Sequence, residues 1–335
     1  MRRRDFTASL LFAAAPRSAC AQAPAKQHRI VLVLPVPQTA ASNWRASPFG
    51  RIFFSELRRL GYVEGNNLVV EEFSADGHPE RYADVARQAV SRNPDVIVAA
   101  GSFMVKAVRS ATDTIPIVGV MEDALSTGLV TSLARRPGDN LTGVSTDAGG
   151  EIWGKRLQIL KEAIPSASRI GFLTTRAVQQ SPLPNELQFL REASAGLGIS
   201  PIEIYLSEVT APEIERGFAA LAEQQPDAVL ISTAQGIGAH HQLIVKLAQR
   251  YRLPAMYPFR VFADAGGLMT YMADIADLGR QMADDVHQIL NGTKPGDIPI
   301  YQATKFQLII NLKTANALGL KLSSSLLLLA DEVIE

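Results

Sequence analysis

A strand–helix–strand stretch in the first half of the chain places the strongest constraint on the fold. It holds an unbroken apolar run at 96–100, a helix-like segment at 103–111 and a second apolar run at 115–120. Continuous apolar strands joined by a helix are typical of a parallel sheet buried on both faces. Polar residues just past such strands face the ligand crevice in open α/β sheets. The sequence therefore predicts that Ser102 and Asp123 face a ligand crevice.

The same arrangement recurs in the second half of the chain. A Pro-Asp pair precedes the run at 96–100, and another precedes the apolar run at 228–231, which a Ser-Thr turn follows. Two further correspondences keep the same order, at an offset of roughly 130 to 140 residues. Strands alternate with helices throughout, as in doubly wound folds. We therefore expect an α/β protein of two doubly wound parallel-sheet lobes joined by a hinge.

The chain length of 335 residues favours about two domains. Residues 1–21 show the arginines, short apolar run and small-residue cleavage site of an export signal, and they contain the only cysteine. We expect a first lobe at 28–148, a second lobe at 149–291, and a return of part of 292–335 to the first lobe. The signal predicts a periplasmic protein, exported by the twin-arginine or the general secretory route.

Composition and motifs exclude several classes of function. Hydrophobic residues make up 47% and charged residues 20% of a chain with a formal net charge of zero, so no basic block suggests a nucleic-acid partner. The G-x-x-x-x-G-K pattern at 149–155 is followed by Arg156 instead of the Ser or Thr that holds Mg²⁺. His240 and His241 are adjacent, so they diverge on a helix and cannot share a metal. The sequence predicts no cofactor, no metal and no enzymatic activity.

Seven stretches resemble one known family. They are GYVEGNNLVVE (61–71), IPIVGV (115–120), SLARRPGDNLTGVS (132–145), LPAMY (253–257), DAGGLMTY (264–271), KFQLIINLKTANALGL (305–320) and LLLLADEVIE (326–335). The chain resembles the periplasmic substrate-binding proteins of ABC transporters, in the family that includes tryptophan- and tyrosine-binding members. It departs from the family at Ala124, where proline is usual, and at Met272, where glycine is usual. The resemblance implies a type I-like two-lobed fold, a monomer, a small-molecule ligand, and a membrane permease and ATPase as partners.

Two positions of the first lobe are candidates for polar ligand contacts. Asp123 is expected to pair with a ligand ammonium group; the alternative is that it caps a helix predicted over 126–135. Ser102 and Phe103 stand where a helix begins, and the backbone N–H groups there suit a ligand carboxylate. Simple N-capping by Ser102 is the alternative.

The second lobe and the aromatic residues complete the predicted site. The equivalent strand ends of the second lobe are expected to carry ligand contacts from Thr174, Thr175, Thr233 and Gln235. Three aromatic residues near the last strand ends, Tyr257, Phe259 and Tyr271, are expected to stack on an apolar ligand side chain, with hinge packing as the alternative.

These observations together predict a periplasmic binding protein. It would close its two lobes on a small amino-acid-like ligand, aromatic ones included, and deliver it to a membrane permease. Two other classes stay open at this point. One is an exported α/β hydrolase acting in the cleft, and the other is a ligand sensor that feeds a signalling partner.

Overall fold

The structure is a computed structural model that describes residues 27–36, 43–136, 138–147, 150–181, 185–234 and 236–335. The strands of this part of the chain are β1 (His28–Leu34), β2 (Leu68–Ser74), β3 (Val96–Ala100), β4 (Ile117–Met121), β5 (Leu141–Ser145), β6 (Arg169–Thr175), β7 (Ser200–Leu206), β8 (Ala228–Ile231), β9 (Ala255–Tyr257), β10 (Met269–Ala273), β11 (Tyr301–Gln302), β12 (Phe306–Asn311) and β13 (Glu332–Ile334). They form two separate sheets.

Helices connect these strands. They are α1 (Pro48–Arg59), α2 (Tyr82–Ser91), α3 (Ser102–Ala111), α4 (Glu151–Ala163), α5 (Arg176–Gln179), α6 (Glu186–Leu197), α7 (Ala211–Glu223), α8 (His241–Arg250), α9 (Arg260–Asp264), α10 (Ile275–Leu290), α11 (Leu312–Ala317) and α12 (Ser324–Leu329). Short 3₁₀ turns lie at Pro79–Arg81, Ile237–His240 and Pro295–Asp297. The strand–helix alternation predicted from the sequence is therefore present.

The two sheets share one strand order. The first runs β11-β5-β4-β3-β1-β2, and all its pairings are parallel. The second runs β13-β12-β10-β9-β8-β6-β7, and only the pairing of β10 with β12 is antiparallel among those described. When β6–β10 are matched with β1–β5, the order of these five strands is the same in both sheets, and the sheets differ only in the outer strands beyond β5 and β10. The prediction of two doubly wound parallel-sheet lobes is confirmed.

Each sheet is buried on both faces. In β1, Ile30 and Leu32 face a core shared with α1 and α10, whereas Val31 and Val33 face a core shared with α2 and α3. In the second lobe, Phe172 packs with α4 and α6 on one face while the other face packs with α7 and α8. Because both faces of the sheet are buried, each strand needs apolar side chains at consecutive positions. This uninterrupted apolar pattern is what allowed the strands to be predicted from the sequence.

The chain passes between the lobes three times. After β5 it enters α4, which packs on the second sheet; after β10 it enters α10, which packs on the first lobe against α1. The chain then adds β11 to the first sheet and returns to the second sheet as β12 and β13. The division predicted at residue 291 is wrong here, since α10 belongs with the first lobe. Its apolar face fits α1 so closely that a Cβ on Gly279 would lie 2.9 Å from Ile52.

Backbone hydrogen bonds join these crossing segments. The N–H of Asp274 donates to the carbonyl of Lys305 (2.9 Å), and the N–H of Ala303 donates to the carbonyl of Ser145 (2.9 Å). The Lys305 ammonium also pairs with Asp277 at 2.6 Å. The three crossings therefore run side by side and form the hinge region of the molecule.

One predicted helix is absent. Residues 126–135 form turns and bends instead of a helix. Gly128 has a φ of 66°, a left-handed conformation that interrupts a helix. The Arg136 guanidinium donates to the carbonyls of Ser132 and Leu141, and so fixes this segment in an irregular path.

Candidate functional site

The carboxyl ends of the two sheets face one another across the hinge. The carboxylate of Asp147, two residues past β5, interacts with the charges of Glu122 and Asp123 in the first lobe. It also interacts with the charges of Arg156 and Glu186 in the second lobe. We call the space between these groups the interlobe cleft. Ligands bind at this edge of open α/β sheets, so the cleft is the candidate site.

Ser102 is held by a neighbouring carboxylate. Its backbone N–H donates to Glu122 Oε2 at 3.0 Å, and its hydroxyl donates to the same oxygen. Ser102 is only 6% exposed, while Phe103 beside it is 70% exposed. The first turn of α3 therefore binds the protein's own carboxylate at the place where a ligand carboxylate was predicted, and Phe103 presents its ring to the solvent.

Asp123 forms a turn. Its Oδ1 accepts hydrogen bonds from the N–H groups of Leu125 (3.0 Å) and Ser126 (3.1 Å). This resembles the capping alternative, although the helix that it would have capped is absent. The side chain is half-buried and its charge is felt by Asp147, so Asp123 remains at the edge of the cleft.

Glu186 organises the strand ends of the second lobe. Its Oε1 accepts hydrogen bonds from the hydroxyls of Thr174 (2.7 Å) and Ser232, and its Oε2 accepts from the N–H (3.0 Å) and hydroxyl (2.8 Å) of Thr233. The predicted contacts Thr174 and Thr233 thus meet at one buried carboxylate. Thr175 is also buried, and its hydroxyl caps α5 by accepting from the N–H of Val178. The predicted residue Gln235 lies outside the described residues.

The three predicted aromatic residues have different surroundings. Tyr257 is 1% exposed and stacks on Phe262 with ring centroids 4.9 Å apart, so it belongs to the core. Tyr271 is half-buried and stacks on Phe306. Phe259, two residues past β9, is 37% exposed. Tyr257 therefore packs in the core of the second lobe, whereas Phe259 keeps part of its ring exposed.

Asp147 has a perturbed ionisation. Its pKa is raised to about 7, mainly because the surrounding protein atoms desolvate its carboxylate. The Arg156 charge opposes this shift, while the carboxylates of Glu122, Glu186 and Asp123 add to it. The side chain still keeps part of its surface open to solvent, which is the combination expected deep in a narrow cleft.

Arg156 is the buried cation of the site. Only 1% of the residue is exposed, its Nε donates to the Tyr271 carbonyl at 3.0 Å, and its guanidinium lies 4.6 Å from the centroid of the Trp153 ring. Burial lowers its pKa, and the charges of Asp147 and Glu186 oppose that shift. Its Nη1 has no hydrogen-bond partner among the described residues.

Sequence reasoning missed four charged residues of this site. Glu122 and Asp147 do follow strands, so the strand-end rule could have found them. Arg156 and Glu186 lie on helices, where only the fold brings them to the cleft. Among the described residues, no group of three or more His, Cys, Asp or Glu is arranged to hold a metal.

Comparison with known proteins identifies the family. The family model described as ABC transporter substrate binding protein matches residues 53–334, which is most of the chain. The chain belongs to this family. The predicted resemblance is thereby confirmed, and so is the expectation of a substrate-binding protein that is not an enzyme.

Related proteins agree with this assignment. The chain is 25% identical over 270 residues to the tyrosine-binding protein of Clostridioides difficile, covering 80% of this chain and 76% of the relative. A conserved domain protein from Vibrio cholerae has a solved structure with a TM-score of 0.80 and 26% identity, and the match covers 92% of this chain and all of that one. An ABC domain from Streptococcus pneumoniae in complex with L-Trp gives a TM-score of 0.81 at 21% identity, with the same coverage.

Family membership also fixes the general place of action. Substrate-binding proteins of ABC transporters work outside the cytoplasmic membrane, where they bind small molecules and serve a membrane permease. In the described part of this substrate-binding protein, each helix is too short or too polar to cross a lipid bilayer.

Proposed function

We propose that this substrate-binding protein holds an amino-acid-like ligand with an aromatic or other apolar side chain in the interlobe cleft. The observation that carries the proposal is the exposure of Phe103 and Phe259. Among the large apolar side chains that are exposed in the described residues, these two are aromatic. Phe103 follows β3 in the first lobe, and Phe259 follows β9 in the second. Exposed rings beside charged groups suit a ligand that has both an apolar and a charged part.

The relatives support the same ligand class. One is named a tyrosine-binding protein, and another was solved with L-Trp. We propose that Phe103 and Asp123 contact the ligand from the first lobe, with Thr233, Phe259 and Tyr271 contacting it from the second. Ser102 acts through Glu122, which it holds at the cleft edge. Contacts from both lobes stabilise the closed arrangement, so that binding drives hinge closure.

The cellular setting is part of the proposal. Residues 1–21 serve as the export signal, and the protein acts in the periplasm as a monomer, without a nucleic-acid partner. It delivers its ligand to the permease and ATPase of an ABC importer. Two observations support this setting. Residues 1–21 have the arginines, apolar run and small-residue cleavage site of an export signal, and proteins of this family work outside the cytoplasmic membrane.

Isothermal titration calorimetry tests the ligand class. The protein is unfolded, dialysed and refolded to remove carried ligand, and then titrated with the twenty amino acids, a sugar set and a carboxylate set. We expect micromolar or tighter binding of an aromatic or large apolar amino acid, weakened at least tenfold by Phe103→Ala and by Phe259→Ala. Leu328→Ala serves as the control, since Leu328 is an exposed apolar residue on α12. Binding of a sugar while all amino acids give no heat would refute the proposal.

A further inference from the structure

Two opposite charges lie on either side of the first crossing between the lobes without touching each other. Asp147 stands just past β5, where the chain leaves the first lobe, and Arg156 lies on α4, where the chain has entered the second lobe. Each charge affects the ionisation of the other, so the two groups are near. Yet no carboxylate oxygen of the described residues lies within 4.0 Å of an Arg156 nitrogen, which is the distance limit for an ion pair.

The Arg156 guanidinium is held in place but not satisfied. One face lies against the Trp153 ring, and Nε is fixed by the Tyr271 carbonyl. This leaves Nη1 buried with no partner in the described protein. A buried donor without a partner destabilises the fold, and more so when it is charged. A guanidinium that is rigidly positioned with an open donor suits a carboxylate, which it can bind with two parallel hydrogen bonds.

The Asp147 carboxylate is likewise positioned but unpaired. Its backbone N–H donates to the Glu122 carbonyl at 2.8 Å, and its own carbonyl accepts from Gln302 at 3.5 Å. These bonds anchor the residue to the first lobe. The carboxylate itself has no hydrogen bond or ion pair within the described residues, and it keeps some exposure to the cleft.

The neighbouring carboxylates are not free to neutralise Arg156. Both oxygens of Glu186 are taken by the four donors of Thr174, Ser232 and Thr233. Glu122 holds the first turn of α3 through Ser102. Arg156 is therefore a cation with carboxylates around it but none in contact, and the group that completes its hydrogen bonds has to come from elsewhere.

We propose that Arg156 binds the α-carboxylate of the ligand and that Asp147 binds its ammonium group. This inference rests on the proposed function, because it requires an amino-acid-like ligand in the cleft. It assigns to Arg156 and Asp147 the two charge contacts that were predicted at Ser102 and Asp123. Ser102 donates its N–H and its hydroxyl to Glu122, and Asp123 Oδ1 accepts within a turn. Asp123 then contacts the ligand beside its ammonium group without being that group's main partner. Since the pair spans the hinge, one zwitterion placed between the two groups links the lobes at the base of the cleft.

Ligand derivatives test the two roles separately. L-tyrosine, tyramine, tyrosinamide and N-acetyl-L-tyrosine are titrated into the wild type by calorimetry. We expect L-tyrosine to bind at least 100-fold more tightly than each derivative. In Arg156→Met the preference for L-tyrosine over tyramine should fall to about threefold, because the carboxylate then has no partner. In Asp147→Asn the preference for L-tyrosine over N-acetyl-L-tyrosine should also fall to about threefold, because the ligand ammonium group then has no charged partner.

Control variants distinguish the loss of a ligand contact from a general loss of structure. Lys155→Met removes an exposed cation from the next position of α4 and should leave every preference unchanged. If Arg156→Met does not fold, Arg156→Lys keeps the charge and should still lower the preference over tyramine at least tenfold, since a point charge cannot reproduce the paired hydrogen bonds. Where another amino acid binds better than tyrosine, its own amine, amide and N-acetyl derivatives replace the set.

The outcomes distinguish the two proposals. If no amino acid binds the wild type, the proposed function itself is wrong. If L-tyrosine binds but a folded Arg156 variant keeps the full preference over tyramine, the ligand class stands and the role of Arg156 is wrong. A loss of thermal stability with unchanged preferences would show that Arg156 is a structural counter-ion, which also overturns the inference.

Discussion

The replacement of Glu186 by glutamine should destabilise the second lobe strongly. The carboxylate is 8% exposed and accepts four hydrogen bonds, two at each oxygen. Glutamine keeps one oxygen and puts an N–H₂ group in place of the other, so two of the four bonds are lost and donors face donors. Hydrogen bonds to a charged group contribute about 1.5–3 kcal/mol each, which gives a loss of about 3–6 kcal/mol in the free energy of unfolding.

Urea denaturation followed by tryptophan fluorescence measures this loss. Trp153 is buried in the second lobe and Trp44 packs on the core of the first, so a Trp44→Phe background confines the signal to the second lobe. Glu192→Gln is the matched control, because Glu192 is an exposed residue of the same helix whose side chain accepts a hydrogen bond from Gln188. It should change the free energy of unfolding by less than about 0.5 kcal/mol. Equal urea midpoints for Glu186→Gln and Glu192→Gln would refute the role given to Glu186.

Three further predictions concern other groups. Burial raises the pKa of Asp285 to about 8, so the folded state favours its protonated form and stability falls as pH rises from about 4 to 8. Asp285→Asn should then unfold at a higher temperature than wild type at pH 8, and this difference should shrink steadily as the pH is lowered toward 4. If Asp147 binds the ligand ammonium in its ionised form, Kd should rise about tenfold per pH unit below pH 7, and titrations of Asp147→Asn should lack this slope. Gly143 has a φ of 133°, and a Cβ added there would overlap the Gly119 carbonyl. Gly143→Ala should therefore lower the free energy of unfolding, measured in urea, by at least ~2 kcal/mol. Gly154 has room for a Cβ, so Gly154→Ala should leave the free energy of unfolding unchanged.

The sheets were predictable because their physical requirement is local. A strand buried on both faces needs an uninterrupted apolar run, and the runs at 96–100 and 228–231 have that pattern without reference to the rest of the chain. The rule that ligands meet the carboxyl ends of strands then led to Ser102 and Thr233. Both do lie at the cleft, although each donates its hydrogen bonds to a protein carboxylate.

The features that were not predicted from the sequence depend on contacts between residues that are distant in the chain. Glu186 is 47 positions from Thr233, and nothing in either segment shows that they meet. The apolar face of α10 predicts a helix packed on a sheet, but the sequence pattern does not say which sheet, so its place in the first lobe was missed. Residues 126–135 had helical spacing, yet Gly128 and the hydrogen bonds of Arg136 outweigh that preference.

The three passages of the chain between the lobes restrict how this architecture can be recombined. A first lobe cut at residue 147 would lack α10 and β11, and the apolar surface around Leu32 and Phe53 would lose its cover. A chimera that takes one lobe from a relative must therefore exchange two separated segments together, 27–147 with 274–303 or 150–273 with 304–335. Point substitutions on the cleft walls leave both segments of each lobe intact, so they can change the ligand preference without disturbing the cores.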